Sequence, residues 1–179
     1  MPKIAIFCGA NPGKDPIILE QATRLVDLLA AQNFDLIYGG GDFGLMGLIA
    51  DRFLEHGQTV IGIRPRRLIE QENAHKGISE MIVVEDMFER KAKLMELADA
   101  FISLPGGIGT LDEMVEVFTH IKIGYYQKFC GALNTNNYYE GLSIMLDRMV
   151  NDHFLSAKDR QILCLASSPE KLVAHLLAY

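Results

Sequence analysis

Short apolar runs alternating with amphipathic stretches constrain this chain more than any other feature. The strand-like runs are Lys3–Cys8, Phe34–Tyr38, Thr59–Arg64, Glu80–Val84, Ala100–Leu104 and Phe129–Leu133. Helical patterns follow at Pro16–Gln32, Gly44–Gly57, Met87–Ala98, Thr110–Gly124 and Tyr139–Asp152, with shorter pieces at Ser156–Gln161 and Pro169–Ala178. Strands apolar on both faces need helices above and below them, and short connections between the two element types imply a parallel sheet. At 179 residues, with no repeat, low-complexity tract or linker, the expectation is one Rossmann-like α/β domain spanning 1–179.

In such a sheet the ligand sits beyond the carboxyl ends of the strands, at the topological switch point. Three glycine-bearing turns are expected there: Gly9-Ala10-Asn11-Pro12-Gly13, Gly39-Gly40-Gly41 and Gly106-Gly107-Ile108-Gly109. The third belongs to the most informative stretch, Pro105-Gly106-Gly107-Ile108-Gly109-Thr110-Leu111-Asp112-Glu113, which leaves a strand and enters a helix. Glycine lets a phosphate approach the backbone, and the first amides of the helix, with about half a positive charge, face it. The turns therefore predict a nucleotide-sized anionic ligand, with Gly9, Gly40, Gly41, Gly106, Gly107 and Gly109 among its contacts. Glu113 does not fit a mere anion holder, because a carboxylate repels phosphate. Its presence suggests chemistry on the phosphorylated molecule.

A second constellation is Glu85-Asp86-Met87-Phe88-Glu89-Arg90-Lys91-Ala92. Arg90 and Lys91 fall near a helix start, where a cation gains nothing from the dipole, although Glu89 can compensate. The fourth and fifth strands, being sequential, are expected to be neighbours, which would bring Arg90 beside the Gly106–Thr110 turn. A guanidinium there could bind phosphate in a fork and balance Glu113.

Several other chemistries are disfavoured. Gly39-Gly40-Gly41-Asp42-Phe43-Gly44 matches a dinucleotide fingerprint but follows the second strand, and the next strand ends at Arg64 without an acidic residue for a ribose. Gly9 to Lys14 is one residue short of a P-loop and has Asp15 where a hydroxyl should hold magnesium. His-Glu-x-x-His, paired Cys-x-x-Cys and Gly-x-Ser-x-Gly are all missing, and no metal site is expected. His120 and His153 read as packed or surface residues. A net charge of −6 argues against general nucleic-acid binding, and the Arg64-Pro65-Arg66-Arg67 cluster reads as a solvated loop. Three scattered cysteines, Cys8, Cys130 and Cys164, fit a reducing cytoplasm, and no membrane span or signal peptide is seen.

Taken together, Pro105–Glu113, Tyr38-Gly39-Gly40-Gly41 with Gly44-Leu45-Met46-Gly47, and Met87–Ala92 resemble the Lonely Guy family of cytokinin riboside 5′-monophosphate phosphoribohydrolases. Agreement runs from Cys8-Gly9 to Tyr138-Tyr139. Older labels call such proteins lysine decarboxylases, but no lysine context for pyridoxal phosphate is recognisable here. The resemblance implies hydrolysis of the N-glycosidic bond of AMP or an N6-substituted AMP, giving free base and ribose 5-phosphate. It further implies a catalytic pair, Arg90 and Glu113, and substrate contacts at Glu72, Arg90, Lys91, Gly107, Ile108, Gly109, Thr110, Leu111, Asp112, Glu113 and Thr119. Glu70 is an alternative to Glu72. No cofactor or metal and a homodimer are also implied, the latter in keeping with apolar residues on several helix faces: Leu94, Met95, Leu97, Val115, Val117, Phe118 and Ile121.

The chain departs from the family pattern at Ala10-Asn11, Phe88, Asp112, Lys128-Phe129-Cys130 and Ile121–Gly124, which leaves base selectivity open. The alternative function is a non-catalytic nucleotide carrier or sensor of the same fold. Arg90 and Glu113 together favour the enzyme, because a pure binder gains little from a carboxylate beside phosphate.

Overall fold

The computed structural model describes residues 1–71 and 74–179. Seven parallel strands form one sheet: β1 (Lys3–Phe7), β2 (Asp35–Tyr38), β3 (Val60–Pro65), β4 (Glu80–Val84), β5 (Ala100–Ser103), β6 (Phe129–Leu133) and β7 (Leu163–Ala166). Their order is β4-β3-β2-β1-β5-β6-β7, so winding reverses between β1 and β5. The helices are α1 (Pro16–Ala31), α2 (Gly44–Glu55), α3 (Arg66–Gln71), α4 (Met87–Leu97), α5 (Ile108–Lys122), α6 (Glu140–Asn151), α7 (Ala157–Arg160) and α8 (Pro169–Leu177).

Burial on both faces explains the unbroken apolar strands. One core layer joins Ile4, Ile6, Leu36, Tyr38 and Ile102 to α1, α2 and α8 through Leu25, Leu29, Ile49, Phe53 and Leu172. The opposite layer joins Ala5, Phe7, Ile37, Ile61 and Phe101 to α4, α5 and α6 through Leu94, Met95, Met114, Val117 and Leu146. Helix starts follow local rules. Asp15 accepts from the Ile17 amide at 3.1 Å ahead of Pro16, and Asp86 accepts from the Glu89 amide at 2.8 Å. Glu89 returns the favour to the Glu85 amide at 2.8 Å, offsetting the cations that follow it.

Three expectations need correction. β4 and β5 are not neighbours: β4 is an edge strand and β5 pairs with β1. β7 is a strand that sequence reading passed over, because Leu163–Ala166 is too short to show a period and sits between two helical pieces. The arginine cluster is solvated only at Arg66 and Arg67, and it spans a strand end and a helix start, not a loop. Arg64 closes β3 with 2% exposure and donates to the Gly39 carbonyl at 3.3 Å, while Arg66 begins α3.

His75 ties the segment after α3 to the second glycine turn. Its amide donates to the Gly40 carbonyl at 3.1 Å, its Nδ1 accepts from the Gly77 amide at 3.1 Å, and its Nε2 lies 3.0 Å from an Asp51 carboxylate oxygen. The ring is buried, so its partners must be protein groups. Replacing it with leucine removes its bonds to Asp51 and Gly77, both exposed enough for water to take over. His75→Leu should lower stability by about 1 kcal/mol, seen as a lower midpoint in urea with an unchanged m-value; an unaltered midpoint would contradict this role of the ring.

Candidate active site

The reversal between β1 and β5 opens a cleft of about 440 Å³ at the carboxyl edge of the sheet, within the range of small-molecule sites. Its walls come from the loop after β1 (Cys8 to Gly13), the start of α2 (Leu45, Met46), α4 (Met87, Arg90), and the Pro105–Glu113 stretch, with Tyr138 at one side.

Two glycines shape this cleft through missing atoms. A β-carbon on Gly106 would lie 2.2 Å from the Thr110 hydroxyl and 2.7 Å from the Gly9 amide, so the turns after β1 and β5 can touch only with glycine there. A β-carbon on Gly39 would lie 2.3 Å from Nη2 of Arg90. The second glycine turn thus serves the site indirectly, by leaving space for a guanidinium carried on another element.

That guanidinium reaches the switch point because α4 runs back from the edge strand across β3, β2 and β1 to feed β5. The expected meeting of Arg90 with the glycine turn therefore occurs, but through this crossover and not through strand adjacency. Arg90 Nη2 lies 3.3 Å from Glu113 Oε1, and the two side chains are only 13% and 11% exposed. Burial pushes the Glu113 pKa above the usual carboxylate range, and the Arg90 charge opposes part of that rise. Cys8 borders the pair, and burial, reinforced by Glu113, holds its thiol strongly protonated, which removes it as a nucleophile.

The structure divides the sequence-derived site residues into two sets. Gly9, Arg90, Gly106, Gly107, Gly109, Thr110, Asp112 and Glu113 line the cleft. Gly40 and Gly41 are buried against Met81, Arg64 and Met46 and are not part of its lining. Lys91 turns the other way, with Nζ 2.8 Å from Glu116 and 3.1 Å from Asp112, while Ile108 and Leu111 border neighbouring hollows. Thr119 is exposed on α5 and donates to the Val115 carbonyl at 2.8 Å. Glu72 lies outside the described residues, as does the side chain of its alternative, Glu70. Of the departures, Asn11 borders the cleft, whereas Phe88 points outward with 80% exposure.

Sequence reading did not assign roles to Met46, Met87, Ile18 or Tyr138, which also line the cleft. Met46 and Met87 fall within the quoted motifs, yet nothing in their type distinguishes a cleft wall from a core.

Comparison with known proteins bears on this site. A family model described as "possible lysine decarboxylase" matches residues 46–176. Cytokinin riboside 5′-monophosphate phosphoribohydrolase LOG7 of Arabidopsis thaliana is 40% identical over 177 residues, covering 99% of this chain and 82% of that protein. The chain belongs to the LOG family. Probable cytokinin riboside 5′-monophosphate phosphoribohydrolase LOGL6 of Oryza sativa subsp. japonica is also 40% identical over 177 residues, covering 99% of this chain and 71% of that protein. The fold is shared with a molybdenum cofactor binding protein from Rippkaea orientalis, at a TM-score of 0.73 and 21% identity over 99% of this chain and 96% of that one. It is shared as well with the molybdenum cofactor carrier protein of Chlamydomonas reinhardtii, at a TM-score of 0.72 and 19% identity over 99% of both chains.

For this LOG-family chain, the decarboxylase label finds no support at Lys91. Hydrogen bonds that its ammonium donates to Glu116 and Asp112 raise its pKa and keep it charged, whereas a Schiff-base lysine must be easily deprotonated. Gly39→Ala should displace Arg90 from Glu113 and lower the melting temperature, because the enclosed carboxylate loses its counter-charge. Activity should fall on the order of 10²-fold, as expected for misplacement by about 1 Å; a fully active Gly39→Ala enzyme would show that Arg90 need not occupy this position.

Proposed function

We propose that this protein hydrolyses the N-glycosidic bond of AMP or an N6-substituted AMP, releasing the base and ribose 5-phosphate. The observation that carries this reading is the largely enclosed Arg90–Glu113 pair beside a glycine-rich helix start. α5 begins at Ile108 after a glycine cap, so the unpaired amides of its first turn suit the 5′-phosphate. Glu113, further along the same helix, then stands near the ribose.

Cleavage of the C1′–N9 bond sends its electron pair to the base and leaves positive charge on the sugar. The ionised Glu113 carboxylate stabilises that charge and orients the water whose oxygen bonds to C1′. The water gives up a proton through Glu113, and the departing base takes one up at nitrogen. Arg90 cannot supply that proton, because a guanidinium does not deprotonate in this pH range. It assists as a fixed charge, orienting Glu113 and contacting the substrate. The apolar wall of Ile18, Leu45, Met46 and Met87 suits a purine with an apolar substituent.

A homodimer belongs to the same proposal. Most apolar residues behind the sequence expectation pack within the protomer, since Leu94, Met95 and Val117 are buried and Leu97, Phe118 and Ile121 lean on the same core. Support comes instead from Ile108, Val115, Ile123 and Tyr125, exposed along α5 and its end. A monomer by light scattering at micromolar concentration would contradict it. A cytoplasmic location is part of the proposal too.

Incubation with AMP and with N6-isopentenyl-AMP, followed by chromatography, should yield free base from at least one. Glu113→Ala should lower the rate on the order of 10²-fold or more. Intact nucleotide despite binding would favour the carrier. Because Glu113 must be ionised and burial raises its pKa in the free protein, kcat/KM should fall on acidification at a higher pH than an exposed glutamate would give; an acid limb at or below that of an exposed glutamate would contradict the role.

A further inference from the structure

Consecutive carbonyl oxygens of the third glycine turn are each held by a group outside the cleft's open space. The Leu104 carbonyl accepts from the Tyr139 hydroxyl at 2.6 Å, and the Pro105 carbonyl accepts from the Gly9 amide at 3.2 Å. The Gly106 carbonyl accepts from the Tyr138 hydroxyl, and the Gly107 carbonyl accepts from the Leu111 amide at 3.2 Å. A trans peptide points its N–H away from its carbonyl. Pinning the Gly106 carbonyl therefore aims the Gly107 amide in the opposite direction.

The two tyrosines are adjacent but differ in situation. Tyr139 is 5% exposed and sits in the core, where its hydroxyl needs a protein partner. Tyr138 is 50% exposed, so water could satisfy its hydroxyl and burial does not explain the contact. It lies edge-on to Tyr139, with ring centroids 5.1 Å apart, and borders both the cleft and a second hollow lined by Ile108, Leu111 and Leu142. The loop that delivers it is held by the Tyr138 amide on the Thr135 carbonyl at 3.0 Å and the Tyr139 amide on Asn134 Oδ1 at 2.7 Å.

We propose that Tyr138 is a positioning residue for phosphate recognition: its hydroxyl fixes the Gly106–Gly107 peptide so that the Gly107 amide faces the anion. The inference rests on the phosphoribohydrolase reading for the identity of the ligand, a phosphate monoester of ribose. Its mode of action is indirect, because the hydroxyl hydrogen is committed to the Gly106 carbonyl.

Tyr138→Phe removes the hydroxyl and keeps the ring, whereas Tyr138→Leu removes both. Titration calorimetry with ribose 5-phosphate reads the effect without any need for turnover. Tyr138→Phe should weaken that binding about tenfold, the size of one lost hydrogen bond, and raise KM for AMP or N6-isopentenyl-AMP in parallel. The change in kcat should be much smaller, the melting temperature of the free protein should stay near that of the parent, and Tyr138→Leu should bind ribose 5-phosphate no worse than Tyr138→Phe. Parent-like affinity in Tyr138→Phe would overturn the proposal, as would a loss confined to Tyr138→Leu or a parent protein that does not bind ribose 5-phosphate. Should the chain bind ribose 5-phosphate yet cleave neither nucleotide, the hydrolase reading fails while the titration still decides the role of Tyr138.

Discussion

The parallel pairing of β1 with β5 brings together two loops that are remote in sequence, and the site is built on their contact. Ile4, Ala5, Ile6 and Phe7 face Ala100 through Ser103 in register, so the chain emerges from both strands at one level. The Leu104 amide extends that ladder to the Phe7 carbonyl at 2.8 Å, and the Gly9 amide returns a bond to Pro105. Only then can Gly106 sit against Gly9 and Thr110. A shift of one residue in this register would move the side chains of one strand from one core layer to the other.

On that foundation the chemistry is assembled from both sides of the reversal. α5 grows directly out of the turn and carries Glu113, whereas α4 arrives from the far edge of the sheet with Arg90. Holding a carboxylate where burial raises its pKa is unfavourable for folding, and the neighbouring guanidinium offsets only part of this. Strain of this kind at a binding site is consistent with a trade between stability and activity.

Much of this arrangement was legible in the sequence because its causes are local. Strand β4 and strand β6 begin and end where their apolar runs do, and the glycine pattern before α5 marks a helix start whatever surrounds it. What escaped was set by distant contacts. Nothing near Leu163 announces that β6 offers it a free edge, and nothing near Arg64 announces that its guanidinium will be enclosed by the turn after β2. The order of the strands likewise depends on which way α4 crosses, a choice made by packing. Motif resemblance pointed to Arg90 and Glu113, but the reason for Gly39 became visible only when the guanidinium was seen in the space a side chain would fill.

Arg90 and Lys91 are consecutive, yet they grip α5 at two separate points. One reaches Glu113, and the other reaches Asp112 and Glu116. Two such anchors between the same pair of helices resist both sliding and rotation, so α4 and α5 behave mechanically as one jaw. The opposing jaw is the segment from Ala10 to Lys14, whose residues are all exposed. The cleft therefore has two unlike walls, one cross-tied between two helices by charge and the other an exposed loop.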